Sequence, residues 1–123
     1  MASVVDENNF ATEVLNASTP VLVNFWAPWC GLCRLVNPIL DRVQAGSNQT
    51  LTLVSINADE NLRLANQYRL TSLPTIIVFY NGQIIYRLDE FKNHDELRAS
   101  LAELQTGLME RFSLSSLGYG CSA

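Results

Sequence analysis

The chain has 123 residues, of which 48% are hydrophobic and 16% are charged, and its formal net charge is −4. This length suits one domain with its own core, and the composition excludes both a disordered chain and a membrane-spanning one, because the longest apolar runs are far too short to cross a bilayer. Seven of the eight basic residues are arginines scattered along the chain, so neither nucleic acid nor a membrane surface is an expected partner.

The first part of the chain predicts a strand, a helix and a second strand. Val4 and Val5 are expected to begin a short edge strand. Asp6 is placed to cap a helix, and the predicted buried residues of that helix are Phe10, Val14 and Leu15. The run Val21–Trp26 is apolar on both faces, which is typical of a buried central strand.

The middle of the chain predicts a helix, a strand and a shorter helix. Residues 33–45 repeat their apolar side chains at helical spacing, with Pro38 inside the pattern. A loop over residues 46–50 then leads to residues 51–56, which are predicted to form a second buried strand. Leu62 and Ala65 fit a short helix after it.

The last part of the chain predicts a hairpin and a helix. Asn81 and Gly82 separate two β-prone runs and favour a two-residue turn between antiparallel strands. Asn93 is predicted to cap the final helix, with Glu96 in the third position of a capping box. The buried stripe predicted for this helix is Leu97, Leu101, Leu104 and Leu108.

This order of elements predicts an α/β fold with a central mixed sheet and helices on both faces. Strand–helix–strand connections favour parallel neighbours, whereas the turn at residues 81–82 requires one antiparallel pair. We expect one domain over residues 1–108. Residues 109–123 are rich in Ser and Gly, which predicts a flexible C-terminal tail.

Two cysteines in a Cys-x-x-Cys motif, Cys30 and Cys33, follow the predicted central strand and open a helix. A thiolate is the nucleophile in disulfide exchange, and the positive end of a helix dipole favours its formation. Cys30 is therefore the better nucleophile, and Cys33, one turn further on, is expected to be less exposed. A structural zinc site would need four ligands, and only His94 and Cys121 remain, so no metal is expected.

The chain resembles the thioredoxin family over about residues 4–108. The motifs that carry the resemblance are Phe-Trp-Ala-Pro-Trp-Cys-Gly-Leu-Cys at residues 25–33, Pro38, Leu73-Pro74-Thr75 and Asn81-Gly82. It implies a thioredoxin fold and a protein thiol–disulfide oxidoreductase with no bound cofactor beyond the redox-active pair Cys30–Cys33.

The resemblance also implies roles for single residues. Cys30 would attack a target disulfide and Cys33 would resolve the mixed disulfide. Pro74 would be cis, and the backbone of Leu73 would hydrogen-bond an extended substrate segment. The substrate-binding surface implied in this way comprises Trp29, Gly31, Leu32, Leu73, Pro74 and Glu90.

Four residues depart from the family's pattern. Leu32 replaces the proline of Cys-Gly-Pro-Cys and restores a backbone N–H, so the resemblance does not fix the redox potential. Glu90 stands where a glycine commonly faces the substrate groove, which predicts a different choice of targets. Asn24 and Ser55 stand where the family has a buried aspartate and often a nearby lysine, so both members of a buried charge pair are absent together.

The departures bear on the Cys33 thiol, and a third thiol, Cys121, lies outside the motif. Asn24 has the shape of an aspartate but cannot act as a base near neutral pH, so the proton of Cys33 is expected to leave through water or through Cys30 itself. Cys121, in the predicted tail, is either a free thiol or a third redox thiol that reaches the Cys30–Cys33 pair.

Disulfide-containing proteins are the targets implied by the resemblance, and a reductase of the thioredoxin-reductase type is the implied electron donor. We expect a monomer in the cytoplasm, or in another reducing compartment if a targeting segment has been removed. Two alternatives stay open. One is a thioredoxin-fold binding or chaperone-like module with weak turnover, and the other is a redox sensor in which the state of Cys30 and Cys33 controls a partner.

Overall fold

The computed structural model describes residues 3–46 and 51–113, in which five strands form one sheet with the order β1-β3-β2-β4-β5. The strands are β1 (Ser3–Val4), β2 (Val21–Trp26), β3 (Thr52–Asn57), β4 (Thr75–Tyr80) and β5 (Gln83–Leu88). The α-helices are α1 (Cys33–Gly46), α2 (Leu62–Gln67) and α3 (His94–Leu108). Shorter helical turns occupy Ala11–Leu15, Ala58–Glu60 and Met109–Ser113.

The sheet is mixed, as predicted. β1, β3 and β2 run parallel, whereas β4 pairs antiparallel with both β2 and β5. Asn81 and Gly82 connect β4 to β5 at φ of 54° and 77°, the left-handed conformation that such a two-residue turn requires. The hairpin strands have the predicted bounds, and β3 begins one residue later than predicted, at Thr52.

Each face of the sheet carries its own apolar core, which confirms the prediction of helices on both faces. α1 and α3 cover one face, and their buried side chains are Val36, Leu40, Val43, Leu97, Leu101, Leu104 and Leu108. The turn Ala11–Leu15 and α2 cover the other face with side chains that include Val14 and Leu64. Burying one such side chain stabilises a fold by about 1.5–3 kcal/mol, so these two layers hold the sheet in place.

Four aromatic rings lie at the centre of the second core: Phe10, Phe25, Tyr68 and Phe79. Their centroids are between 5.5 and 6.4 Å apart in the contacting pairs. Desolvation in this cluster raises the pKa of the Tyr68 hydroxyl above its ordinary value. The Arg87 guanidinium donates a hydrogen bond of 2.5 Å to the backbone oxygen of Tyr68, which ties the end of α2 to β5.

The predicted helix that starts at Asp6 is wrong in its bounds. The Asp6 carboxylate accepts hydrogen bonds from the backbone N–H groups of Asn8 and Asn9, at 2.8 and 3.2 Å, and thereby closes a turn. The helical segment follows only at Ala11–Leu15, with Phe10 in its N-cap position. Asp6 therefore caps a turn, because a short side-chain acceptor stabilises turns as readily as helix starts.

The remaining helices differ from prediction only at their ends. α1 contains Pro38 and ends at Gly46, one residue beyond the predicted end. At the start of α3 the Asn93 side chain accepts from the backbone N–H of Glu96 at 2.9 Å, which confirms the predicted cap. The Glu96 carboxylate accepts from the N–H of Lys92, one residue earlier than in a standard capping box.

The helical turn Met109–Ser113 follows α3 directly, so helical structure continues past the predicted domain boundary at residue 108. The other residues of the predicted tail, Cys121 among them, lie outside the described residues. The division into a domain over 1–108 and a tail over 109–123 stays a prediction.

Candidate active site

Four separate segments of the chain meet at one edge of the sheet. Trp26 at the end of β2 pairs with Asn57 at the end of β3, because these strands are parallel. Phe25 pairs with Thr75 at the start of the antiparallel strand β4, and β5 ends at the same edge. The segments that this pairing brings together are residues 27–33, 58–61, 72–74 and 89–90.

Cys30 and Cys33 form a disulfide at this edge, with their Cα atoms 5.3 Å apart. α1 begins at Cys33, and the backbone N–H of Cys33 points at the Cys30 sulfur, with an N–Sγ distance of 3.1 Å. The N–H of Cys30 in turn donates to the carbonyl of Ala27 at 3.1 Å. The Cys30 sulfur therefore occupies the positive end of a helix and accepts one of its free N–H groups, an arrangement that favours a thiolate.

The expectation that Cys33 is less exposed than Cys30 is wrong for this disulfide form, since both cysteines are 5% exposed. The disulfide holds the Cys30 sulfur against the first turn of α1 and covers it to the same extent. The two sulfurs differ in how the helix dipole acts on them, because the Cys30 sulfur accepts the backbone N–H of Cys33 at the start of the helix.

Trp29 extends into solvent beside the disulfide, with 69% of its surface exposed. Its indole N–H donates to the Asp59 carboxylate at 2.9 Å. Asp59 is held in turn by Asn57, whose side-chain oxygen accepts the Asp59 backbone N–H at 2.9 Å. Sequence reasoning missed Asp59, although parallel pairing of the strands that end at Trp26 and Asn57 would have placed it beside the motif.

The loop before β4 lies against the segment after β5. The Leu73–Pro74 peptide is cis, which confirms that prediction. Glu90 has a φ of 59°, and its backbone N–H donates to the Ser72 hydroxyl at 3.0 Å. Glycine adopts a left-handed φ more readily than other residues do, and Glu90 holds this conformation here with an exposed side chain.

The two residues between the cysteines differ in exposure. Gly31 is exposed, and a Cβ added to it would meet no atom of the described residues within 4 Å, so the surface at this position is open. Leu32 is half-buried, and its carbonyl accepts the N–H of Leu35 at 3.0 Å in the turn that leads into α1.

A cavity of about 250 Å³ lies beside Cys33. Its walls are Asn24, Trp26, Ala27, Pro28, Cys33, Arg34, Asn37 and Ser55. Asn24 and Ser55 are register partners on β2 and β3. The structure therefore places side by side the two residues that stand where the family has a buried aspartate and often a lysine. Sequence reasoning missed Arg34 and Asn37; the four-residue spacing from Cys33 to Asn37 was a signal that both share one helix face.

Within residues 3–46 and 51–113, no three His, Cys, Asp or Glu side chains lie close enough together to hold a metal ion. No helix in the same part of the chain has both the length and the apolar character needed to cross a membrane.

Comparison with known proteins decides the family. The family model described as Thioredoxin matches residues 1–103. The chain belongs to the thioredoxin family. It is 45% identical to Thioredoxin 1 of Synechococcus elongatus over 83 residues, which are 68% of this chain and 78% of that protein. It is 36% identical to the thioredoxin of Mycobacterium bovis over 104 residues, which are 85% of this chain and 90% of that protein.

This thioredoxin is a protein thiol–disulfide oxidoreductase. Thioredoxins use no cofactor apart from the active-site cysteine pair, which here is Cys30–Cys33. Membership of the family implies disulfide-containing protein targets and a reductase as electron donor. A chloroplastic M-type thioredoxin of Chlamydomonas reinhardtii is 43% identical over 82 residues, which are 67% of this chain and 59% of that protein.

Proposed function

We propose that this thioredoxin reduces disulfides in target proteins, with Cys30 as the attacking thiol and Cys33 as the resolving thiol. The observation that carries this assignment is the 3.1 Å contact from the first N–H of α1 to the Cys30 sulfur. The helix end lowers the cost of a negative charge on that sulfur, and a thiolate is the species that attacks.

The reaction takes two exchange steps. The Cys30 thiolate attacks one sulfur of the target disulfide, whose S–S bond breaks and whose other sulfur leaves and takes a proton from solvent. Cys33 then loses its proton and attacks the Cys30 sulfur, which releases the second target sulfur. Two electrons pass to the target, and the protein is left with the Cys30–Cys33 disulfide, which the donor must reduce.

The edge around the disulfide supports a docking role for its exposed residues. Trp29 and Gly31 present open surface beside Cys30, with Leu32 half-buried next to them. The backbone of Leu73 and the ring of Pro74 would receive an extended target segment, which pairs with a backbone as an added strand does. We also propose a monomer in a reducing compartment such as the cytoplasm, a donor of the thioredoxin-reductase type, and no nucleic-acid or membrane partner.

The test of this function is reduction of the insulin disulfides with dithiothreitol as donor. We expect the wild-type protein to accelerate the reduction well above dithiothreitol alone, and Cys30→Ser to abolish the acceleration, because the variant lacks the attacking sulfur. No acceleration by the wild-type protein would contradict the proposal and favour the binding module or the redox sensor. A binding module would also keep its partner in Cys30→Ser.

Glu90 is proposed to select targets by charge, since its exposed carboxylate lies beside the loop that contains Pro74. Glu90→Gln should lower kcat/KM about threefold for a disulfide peptide flanked by Arg or Lys, and should raise it for an acidic peptide, because one exposed charge contributes up to about 1 kcal/mol. High salt should reduce both effects. Glu103→Gln on α3 removes the same charge far from this edge, and equal shifts in both variants would contradict the proposal.

A further inference from the structure

The side-chain oxygen of Asn24 is a buried acceptor that the described protein atoms leave unpaired. Asn24 is 2% exposed, and its Oδ1 atom has no hydrogen-bond partner among them. An unpaired buried amide oxygen costs about 1–3 kcal/mol, and buried polar atoms are nearly always paired with protein or with water. A water bound beside this oxygen would supply the missing partner.

The cavity beside Asn24 is suited to water. Its volume of about 250 Å³ has room for several molecules, since one water takes up about 30 Å³ of the liquid. Its walls offer the polar partners that a buried water needs, namely the amides of Asn24 and Asn37 and the hydroxyl of Ser55. The Cys33 side chain lies in the same wall.

We propose that Asn24 and Ser55 are positioning residues that hold a water next to the Cys33 sulfur, and that this water takes the proton of Cys33 in the resolving step. The inference rests on the proposed function, in which Cys33 is the resolving thiol. The Cys33 S–H bond breaks and its proton passes to the cavity water, the Cys33 sulfur bonds to Cys30, and the Cys30–target bond breaks. The cavity water passes this proton on to solvent and the leaving target sulfur takes one from solvent, so protons balance over the step.

The charges around the cavity support this path. β2 and β3 contribute only neutral side chains to its wall, including Asn24 and Ser55, and α1 contributes Cys33, Arg34 and Asn37. Among the residues that the structure describes, Arg34 is thus the one charged residue in the wall. With no carboxylate in the described wall to take the proton, water is the available acceptor.

The test separates the two exchange steps. A fluorescent peptide disulfide is mixed with excess reduced protein in a stopped-flow instrument, and release of the first and second peptide thiols is followed from pH 6 to 9 in H₂O and D₂O. We expect Asn24→Leu and Ser55→Ala to slow the second release about tenfold or more, with a changed solvent isotope effect and an unchanged first release. Asn24→Asp should add an ionisation to the pH profile of the second release.

Thr52→Val is the matched control, because it removes a hydroxyl from β3 at the end of the sheet remote from the cysteines. Ser55→Ala keeps the test decisive if Asn24→Leu fails to fold. A second release as fast in Ser55→Ala as in Thr52→Val overturns the inference, as does an equal slowing of both releases. Absence of the first release from the wild-type protein would instead overturn the proposed function.

Discussion

Cys33→Ser is expected to trap target proteins as stable covalent complexes. The variant keeps Cys30 at the start of α1 and so still attacks a target disulfide. No other cysteine lies among the described residues to release the product, so one protein stays bound to one target through a mixed disulfide. Repeated reduction of insulin should fall on the order of hundredfold or more, because resolution by external dithiothreitol replaces an intramolecular step.

Non-reducing electrophoresis and mass spectrometry of the mixture would show the trapped complex and the cysteine that holds it. The double variant Cys30→Ser/Cys33→Ser is the control and should trap nothing. A complex held by Cys33 in the Cys30→Ser variant, with none in Cys33→Ser, would reverse the two roles.

The same variant tests the hypothesis about Cys121. If that thiol reaches the active site, it will resolve the mixed disulfide in Cys33→Ser, and the trapped complex will decay with formation of a Cys30–Cys121 disulfide. Adding Cys121→Ser should then restore the trap. An equally stable trap with and without Cys121 would leave this cysteine without a redox role.

The sheet could be predicted from the sequence almost to the residue, because its strands carry strong local signals. The turn at Asn81 and Gly82 sets the bounds of β4 and β5, since left-handed φ values at both positions admit few other residues. The run Val21–Trp26, which is apolar apart from Asn24, likewise permits little other than a buried central strand. Each of these signals lies inside the element that it specifies.

The segment before β2 could not be placed in the same way. Asp6 is as good a cap for a turn as for a helix, and the local sequence does not separate the two. The decision comes from the second core, where Phe10 packs against Tyr68 and Phe79. Contacts with residues 58 and 69 positions further along the chain thus fix where the helical turn begins, and a local pattern does not contain them.

The candidate site likewise combines features that the local sequence shows with features that only the fold creates. The motif and its neighbours in the chain were available from the sequence, and the change at Asn24 and Ser55 was visible as a pair. The hydrogen bond from Trp29 to Asp59 could not be predicted from the sequence, because it depends on the register between two strands. The unpaired oxygen of Asn24 could not be predicted either, because it depends on the three-dimensional packing of β2, β3 and α1, which creates the cavity beside Cys33.

Phe79→Ala is expected to lower the free energy of unfolding by about 3–5 kcal/mol, a large part of the 5–15 kcal/mol typical of a domain. Phe79 is 1% exposed and meets the rings of Phe10 and Tyr68 edge-on at 5.7 and 5.5 Å, so its loss opens a cavity in the second core. Urea titration of the reduced protein followed by circular dichroism would measure the change. A loss below about 1 kcal/mol would contradict the packing.

Ile84→Ala is the matched control for this prediction, because Ile84 pairs with Phe79 across the hairpin but is 45% exposed. It should cost about 1 kcal/mol or less. Phe79 pairs with Val21 at the start of β2, whereas the cysteines follow the end of that strand. Molecules of Phe79→Ala that remain folded at low temperature should therefore reduce insulin at the wild-type rate. A loss of activity in the folded fraction would show that the aromatic core and the active site are coupled.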